Sequence, residues 1–130
     1  MRQKVEKKKR YNFRYKHDTF ENDIQVVNKN NHEISEFDYY IGRPSILSNI
    51  YSHRPNTTAK YVVNSRTEAI DSYILYFEDM LINNEKFLKE LEYLLNFFKK
   101  NNKLYLVCYC KPKRCHGDVI KDYLIKRLRE

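Results

Sequence analysis

Glycine and proline are scarce in this chain of 130 residues. It has two glycines and three prolines, where average usage would give about 9 and 6. Collagen-like, linker-rich and turn-dense all-β chains are thereby excluded, and each glycine becomes informative. Long apolar runs are missing too: nothing approaches the roughly 18 residues of a membrane span, so no membrane association is expected. Residues 2–15 are mostly charged and lack the apolar stretch of a secretory signal, so an intracellular, cytoplasmic protein is expected. Cysteine is confined to Cys108, Cys110 and Cys115. This odd, clustered count differs from the spread, even count of a disulfide scaffold. Thiol chemistry or metal binding is left.

Hydrophobic residues make up 42% and charged residues 32% of the chain, ordinary values for a globular protein, and the length suits one domain. The net charge of +8 is unevenly spread. Residues 1–17 carry +7, residues 18–98 carry −6 and residues 99–130 carry +7. The division expected is a basic, flexible arm over residues 1–20 and one α/β domain over residues 21–130. Two basic ends fit an anionic partner, a nucleotide-like anion or nucleic acid, bound with salt-sensitive phosphate contacts; a solvated tail is the alternative. Tyr11, Phe13 and Tyr15 alternate with Asn12 and Arg14, which suits base stacking or a short edge strand.

Along the chain, residues 24–28 (IQVVN) and 37–41 (FDYYI) read as strands. The polar segment between them is too short for the helix of a parallel crossover, so the two are antiparallel neighbours or not adjacent. Residues 44–64 look irregular, with an extra strand at 61–63. Ser65 and Glu68 have the spacing of a capping box and open a helix whose stripe is Ile70, Tyr73, Ile74, Phe77 and Leu81. A second helix from about Glu85 places Phe87, Leu88, Leu91, Leu94, Leu95 and Phe98 on one face. Residues 104–110 (LYLVCYC) read as a central buried strand. A last helix from Asp118 turns Val119, Ile120, Tyr123, Leu124 and Leu128 inward. The order β, β, α, α, β, α predicts a small layered α/β fold, partly parallel, with three main helices.

The glycines fall at matching places. Gly42 follows one strand, in YIGRPS, and Gly117 lies between another strand and a helix, in CYCKPKRCHGD. If the strands are parallel, both loops lie at the carboxyl edge of the sheet, where open α/β folds bind ligands. Arg43, Ser45, Arg114 and the N–H groups of a helix start would serve a phosphate or carboxylate there. The bland alternative is that both glycines only permit turns and the arginines face water. His17, His32 and His53 lack such a context and read as surface residues.

The segments YIGRPSILSN, SRTEAIDSY and CYCKPKRCHGDVI resemble a family of small uncharacterised domains, a domain of unknown function of bacteria, phages and large DNA viruses. The resemblance covers residues 24–126. Tyr40, Ile41, Gly42, Arg43, Ser45 and Asn49 match its first motif, Arg66 and Tyr73 the middle one, and Cys108, Cys110, Pro112, Cys115, His116 and Gly117 the last. Ser48, Ile50 and Tyr51 stand where that family has Gly, Pro and Phe. The resemblance implies a Rossmann-like α/β domain and no established reaction. Abundant Asn, Lys, Ile and Tyr agree with an AT-rich viral or microbial genome, and for a viral protein the compartment would be the host cytoplasm.

Three chemistries compete for the last motif. Cys108, Cys110, Cys115 and His116 are ligand types for zinc, the one cofactor considered, although neighbouring Cys115 and His116 would have to converge on one ion. Cys115, between Arg114 and His116 and near a helix start, is a candidate nucleophile, with Asp118 orienting the imidazole. Cys108 and Arg114 have the spacing of a Cys-x5-Arg phosphate loop, but Pro112 and lysines replace its glycines. The leading reading is a binding edge. Gly42, Arg43, Ser45, Asn49, Arg66, Arg114 and Gly117 hold a nucleotide-like phosphate, with the cysteines as floor and His116 able to act as acid or base. An enzyme of this kind would be a nucleotide- or nucleobase-directed hydrolase or transferase. The rivals are a basic nucleic-acid-binding or interaction module without catalysis and a zinc-stabilised structural domain.

Overall fold

The computed structural model describes residues 19–130. The basic stretch 1–18, with Tyr11, Phe13, Tyr15 and His17, lies outside the described residues. The elements in chain order are α1 (Phe20–Asp23), β1 (Ile24–Asn28), a 3-10 turn (Lys29–Asn31), β2 (Asp38–Tyr40), β3 (Tyr51–Ser52), β4 (Tyr61–Val62), α2 (Arg66–Asn83), α3 (Glu85–Asn101), β5 (Leu104–Cys108) and α4 (His116–Leu128).

Three strands form a parallel sheet in the order β1-β5-β2. β5 is central and buries Leu104, Leu106, Val107 and Cys108, the near-continuous apolar character of a strand covered on both faces. β1 and β2 flank it, so the first two strands are the non-adjacent pair of the two alternatives. Ile24 pairs with Leu104 and Asn28 with Cys108 on one side, and Tyr40 pairs with Val107 on the other. The chain from β2 through α2 and α3 to β5 is the expected parallel crossover. All three carboxyl ends therefore emerge at one edge. The extra strand expected at 61–63 is β4, paired in parallel with β3, and a hydrogen bond from Val63 N to Ser52 O extends the pair. β3 is two residues long and leaves no periodicity to read.

Local chemistry sets the helix ends. Ser65 Oγ accepts from Glu68 N at 3.0 Å, while the Glu68 carboxylate reaches Asn64 N instead of closing the box on Ser65. Asn84 joins α2 to α3, its side chain accepting from Phe87 N at 3.0 Å. α3 ends at Asn102 with φ 61°, a left-handed position usually given to glycine and tolerated by asparagine. Asparagine thus does work that glycine would do in a richer chain.

Tyr73 and Phe77 of α2, Phe87, Leu91, Leu94, Leu95 and Phe98 of α3, and Ile120, Leu124 and Ile125 of α4 meet Ile24, Leu104 and Leu106 of the sheet in the core, and Ile70 is buried where α2 lines the cleft. Ile74 and Leu81 are half-buried. Phe20 meets Phe98 edge-on at 5.8 Å, which joins the start of the described chain to this core.

Asp38 ties down the loop before β2. Its carboxylate accepts from His32 Nε2 at 2.8 Å, Ser35 N at 3.1 Å and Ser35 Oγ at 2.8 Å. His32 packs at 4.6 Å from the Tyr105 ring, so it is half-buried rather than a surface residue. Burial of Asp38 opposes ionisation, but the hydrogen bonds from His32 and Ser35 outweigh it and hold the pKa below 3.8. Its stabilisation is therefore complete above the unfolded value and is lost as pH falls through the lower folded value. Asp38→Asn is expected to flatten the acid limb of melting temperature against pH below about 4; an unchanged limb would assign it to other carboxylates.

Candidate functional site

The loop after β2 is built to turn back on itself. A Cβ at Gly42 would run into the Tyr40 ring, which folds over it and donates from its hydroxyl to Arg43 O at 3.3 Å. Arg43 Nη1 donates to Asn49 O at 2.9 Å. Asn49 is buried; its amide donates to Ala69 O at 3.2 Å and its carbonyl accepts from Tyr51 N at 2.9 Å. These bonds fix the loop against the first turns of α2. Ser45 Oγ accepts from Leu47 N at 3.2 Å inside the loop.

The loop after β5 enters α4 at Cys115, which is the N-cap. Its Sγ accepts from Gly117 N at 3.3 Å, and Asp118 accepts from Cys115 N at 3.1 Å. The helix accordingly begins at His116, two residues before the expected start at Asp118. Gly117 has no left-handed backbone; close approach requires it. A Cβ there would lie 2.6 Å from Val26 Cγ1 and 2.8 Å from Ile41 Cδ1, so the first turn of α4 sits on β1 and on the end of β2. Gly117→Ala is expected to cost about 1–3 kcal/mol by overpacking, read as a lower urea midpoint. A midpoint within error of wild type would show that α4 can shift freely.

Between the loops lies a cleft of about 560 Å³ whose walls also include α2, β3 and the segment after it. Of the candidate site residues, Gly42, Arg43, Asn49, Arg66 and His116 line it. Ser45, Arg114, Cys115, Gly117 and Asp118 do not, each for a physical reason. The Ser45 hydroxyl is used in its own turn. Arg114 points to Asp71, at 3.4 Å, rather than to a ligand. Cys115 is fully buried as a cap, and Gly117 packs on the sheet. Asp118 closes the capping box and pairs with Lys111 Nζ at 2.6 Å, so its bonds go to the cap and to Lys111 rather than to the imidazole.

Other lining residues were not expected. Arg54, Lys111 and Lys113 add positive charge, His53 lines the cleft rather than facing away from it, and Tyr40, Tyr51 and Tyr109 add rings. Tyr40 and Tyr109 meet edge-on at 6.1 Å with Lys29 over both, and Tyr51 stacks on Tyr61 at 5.4 Å. Five cations line the cleft and no carboxylate does. Lys111 is paired with Asp118 and Arg43 is bonded to a carbonyl. Among the described residues, the side chains of Arg54, Arg66 and Lys113 have no hydrogen bond or ion pair.

His116 is buried. Its Nε2 lies 2.7 Å from Ile41 O and its ring meets Tyr73 edge-on at 5.1 Å. A carbonyl only accepts, so the proton sits on Nε2 and Nδ1 is left bare. Burial lowers its pKa, against the bond to Ile41 O, which raises it. The imidazole is therefore neutral near pH 7.

The sulfur atoms of Cys108, Cys110 and Cys115 all lie within 4.8 Å of one another, and this group could hold a metal ion. His116, expected as a fourth ligand, is not in it. Its Nε2 is bonded to Ile41 O and its ring packs on Tyr73. Hydrogen bonds from Cys108 and then Cys115, helped by His116 and Arg66, hold the Cys110 thiol pKa down despite burial. Hydrogen bonds to Cys108 and Cys110, with burial, push Cys115 up. The candidate nucleophile Cys115 is thus a capped, protonated thiol.

A family described as a domain of unknown function (DUF4326) matches residues 24–126. The chain belongs to this family. The matched span of the DUF4326 domain runs from the first residue of β1 into the last turn of α4, and so contains both loops, the cleft and the three cysteines. No curated protein and no solved structure matches the chain. Among the described residues, no helix is long and apolar enough to cross a membrane.

Proposed function

We propose that this DUF4326 domain binds a nucleotide-like phosphate ligand in the cleft at the carboxyl edge of its sheet. One observation carries the reading: five cationic side chains and three tyrosines line the cleft without a carboxylate. Arg54, Arg66 and Lys113 are unpaired among the described residues and can meet phosphate oxygens through charge-assisted hydrogen bonds. Tyr40, Tyr51 and Tyr109 offer faces to a base. The volume, about 560 Å³, falls in the usual range for small-ligand sites. Arg43 and Asn49 shape the wall, because their bonds are spent within the loop and on the first turn of α2. His116 is placed as a neutral group at the base of α2 and α4. The sulfur cluster belongs to the same floor, and zinc is the metal its ligand types suit.

Calorimetric titration with a nucleoside monophosphate tests the reading. Binding is expected to weaken as salt rises, because the attraction is between exposed charges. Arg66→Ala is expected to weaken it about tenfold, the worth of one charge-assisted hydrogen bond, with no change in melting temperature. Equal affinity in Arg66→Ala, or binding abolished by deleting residues 1–17, would place the anion site outside the cleft.

A further inference from the structure

The three cysteines come from different places in the fold. Cys108 ends β5, Cys110 follows in the loop, and Cys115 caps α4. Their sulfurs nevertheless converge within 4.8 Å, and Cys108 and Cys115 Sγ are 3.6 Å apart. A tetrahedral zinc ion with bonds of about 2.3 Å holds its sulfurs about 3.8 Å apart. One pair is thus already near ligand spacing, and the third sulfur needs to move by about 1 Å at most. Cys108 and Cys115 are buried, whereas Cys110 is half-buried. Cys108 and Cys110 both line the cleft.

Among the described residues, the ligand group consists of three sulfurs and nothing else. His116 is held by Ile41 O at 2.7 Å. Structural zinc sites are closed by four protein ligands, whereas sites that take an outside ligand keep three and leave one position open. We propose that Cys108, Cys110 and Cys115 bind one zinc ion whose fourth position opens into the cleft and takes an exchangeable oxygen ligand, water or a phosphate oxygen.

Charge supports the assignment. On binding, the ion replaces the thiol protons and leaves a zinc trithiolate of net charge −1. Arg43 and Arg66 line the same cleft and lower the cost of that charge. A sulfur set excludes magnesium and calcium, which take oxygen ligands. The phosphate oxygen in the fourth position rests on the anion reading above; the metal and its open position do not.

The test uses the full chain, reduced and metal-free, titrated with zinc and in parallel with cobalt(II) as a coloured probe. One equivalent of each is expected, with thiolate-to-cobalt charge-transfer absorption and the spectrum of a tetrahedral ion. Cys110→Ser and Cys115→Ser are each expected to weaken zinc at least about hundredfold, since even outer-shell partners are worth 10–100-fold. Cys115→Ser is the safer variant, because serine is a preferred N-cap and preserves the start of α4; circular dichroism and melting temperature verify the fold. Inorganic phosphate is expected to shift the ligand-field bands of the cobalt form. Substoichiometric zinc, or zinc affinity unchanged in a folded Cys115→Ser, overturns the metal site. A cobalt spectrum indifferent to phosphate, imidazole and cyanide overturns the open position. A response to imidazole and cyanide but not phosphate upholds the metal site and its open position, and counts against phosphate as the ligand there.

Discussion

Reversing both Arg54 and Arg66 to glutamate is expected to lower affinity for a nucleoside monophosphate by at least about a hundredfold. Each arginine supplies a charge-assisted hydrogen bond worth about 1.5–3 kcal/mol, and about 1.4 kcal/mol is a factor of ten. The reversal also sets two negative charges against the phosphate, so a hundredfold is the lower end. Folding should be unaffected, because neither side chain makes a hydrogen bond or ion pair with the described residues. Calorimetry and a thermal melt on the same sample decide it. A hundredfold loss with an unchanged melt agrees with a cleft site. Unchanged affinity removes both arginines from the ligand, and a collapsed melt would mean that they serve the fold.

Tyr73→Ala is expected to cost about 3–5 kcal/mol, as for other large buried aromatic rings. Tyr73 is fully buried and donates from its hydroxyl to Leu47 O at 2.6 Å. Its ring touches Tyr76, Phe77 and the His116 imidazole. Removing it leaves a cavity beneath both loops and an unpaired buried carbonyl. Tyr73→Phe keeps the ring and loses the hydroxyl bond alone, so about 1–3 kcal/mol is expected. Denaturant unfolding of the two variants separates packing from the bond. Equal losses would show that the hydroxyl carries the whole effect.

The difference between these two residues shows what could be read from the sequence. Tyr73 lies in a stripe at helical spacing, and such a stripe reports burial whatever the rest of the chain does. The same holds for β5, whose apolar continuity marked it as central, and for Ser65, a cap residue in its usual place. Gly42 and Gly117 mark the two chain segments that flank the cleft, because both stand between a strand signal and the next element, although only Gly42 lines it. The glycines answer to close approach, however, not to turns with positive φ.

Long-range partners could not be read. The sequence neighbours of Arg114 point to the site, but Asp71, 43 residues away, holds it outside. Cysteine is not a usual cap, so the sequence pattern starts α4 at Asp118 and leaves Cys115 open as a candidate nucleophile, whereas it caps the helix. Arg54 and Lys113 sit in loops without periodicity. The pairing of β3 with β4 and the bond from Arg54 N to Ser52 Oγ shape the wall to which Arg54 belongs. Lys111 and Lys113 stand within the cysteine motif, beside Cys108, Cys110 and His116, which line the same side of the cleft.

The most direct test is a crystal structure of the full chain grown with a saturating nucleoside monophosphate. Phosphate density is predicted among Arg54, Arg66 and Lys113, with the base against Tyr40, Tyr51 or Tyr109. An empty cleft with the nucleotide held elsewhere on the chain would contradict the account.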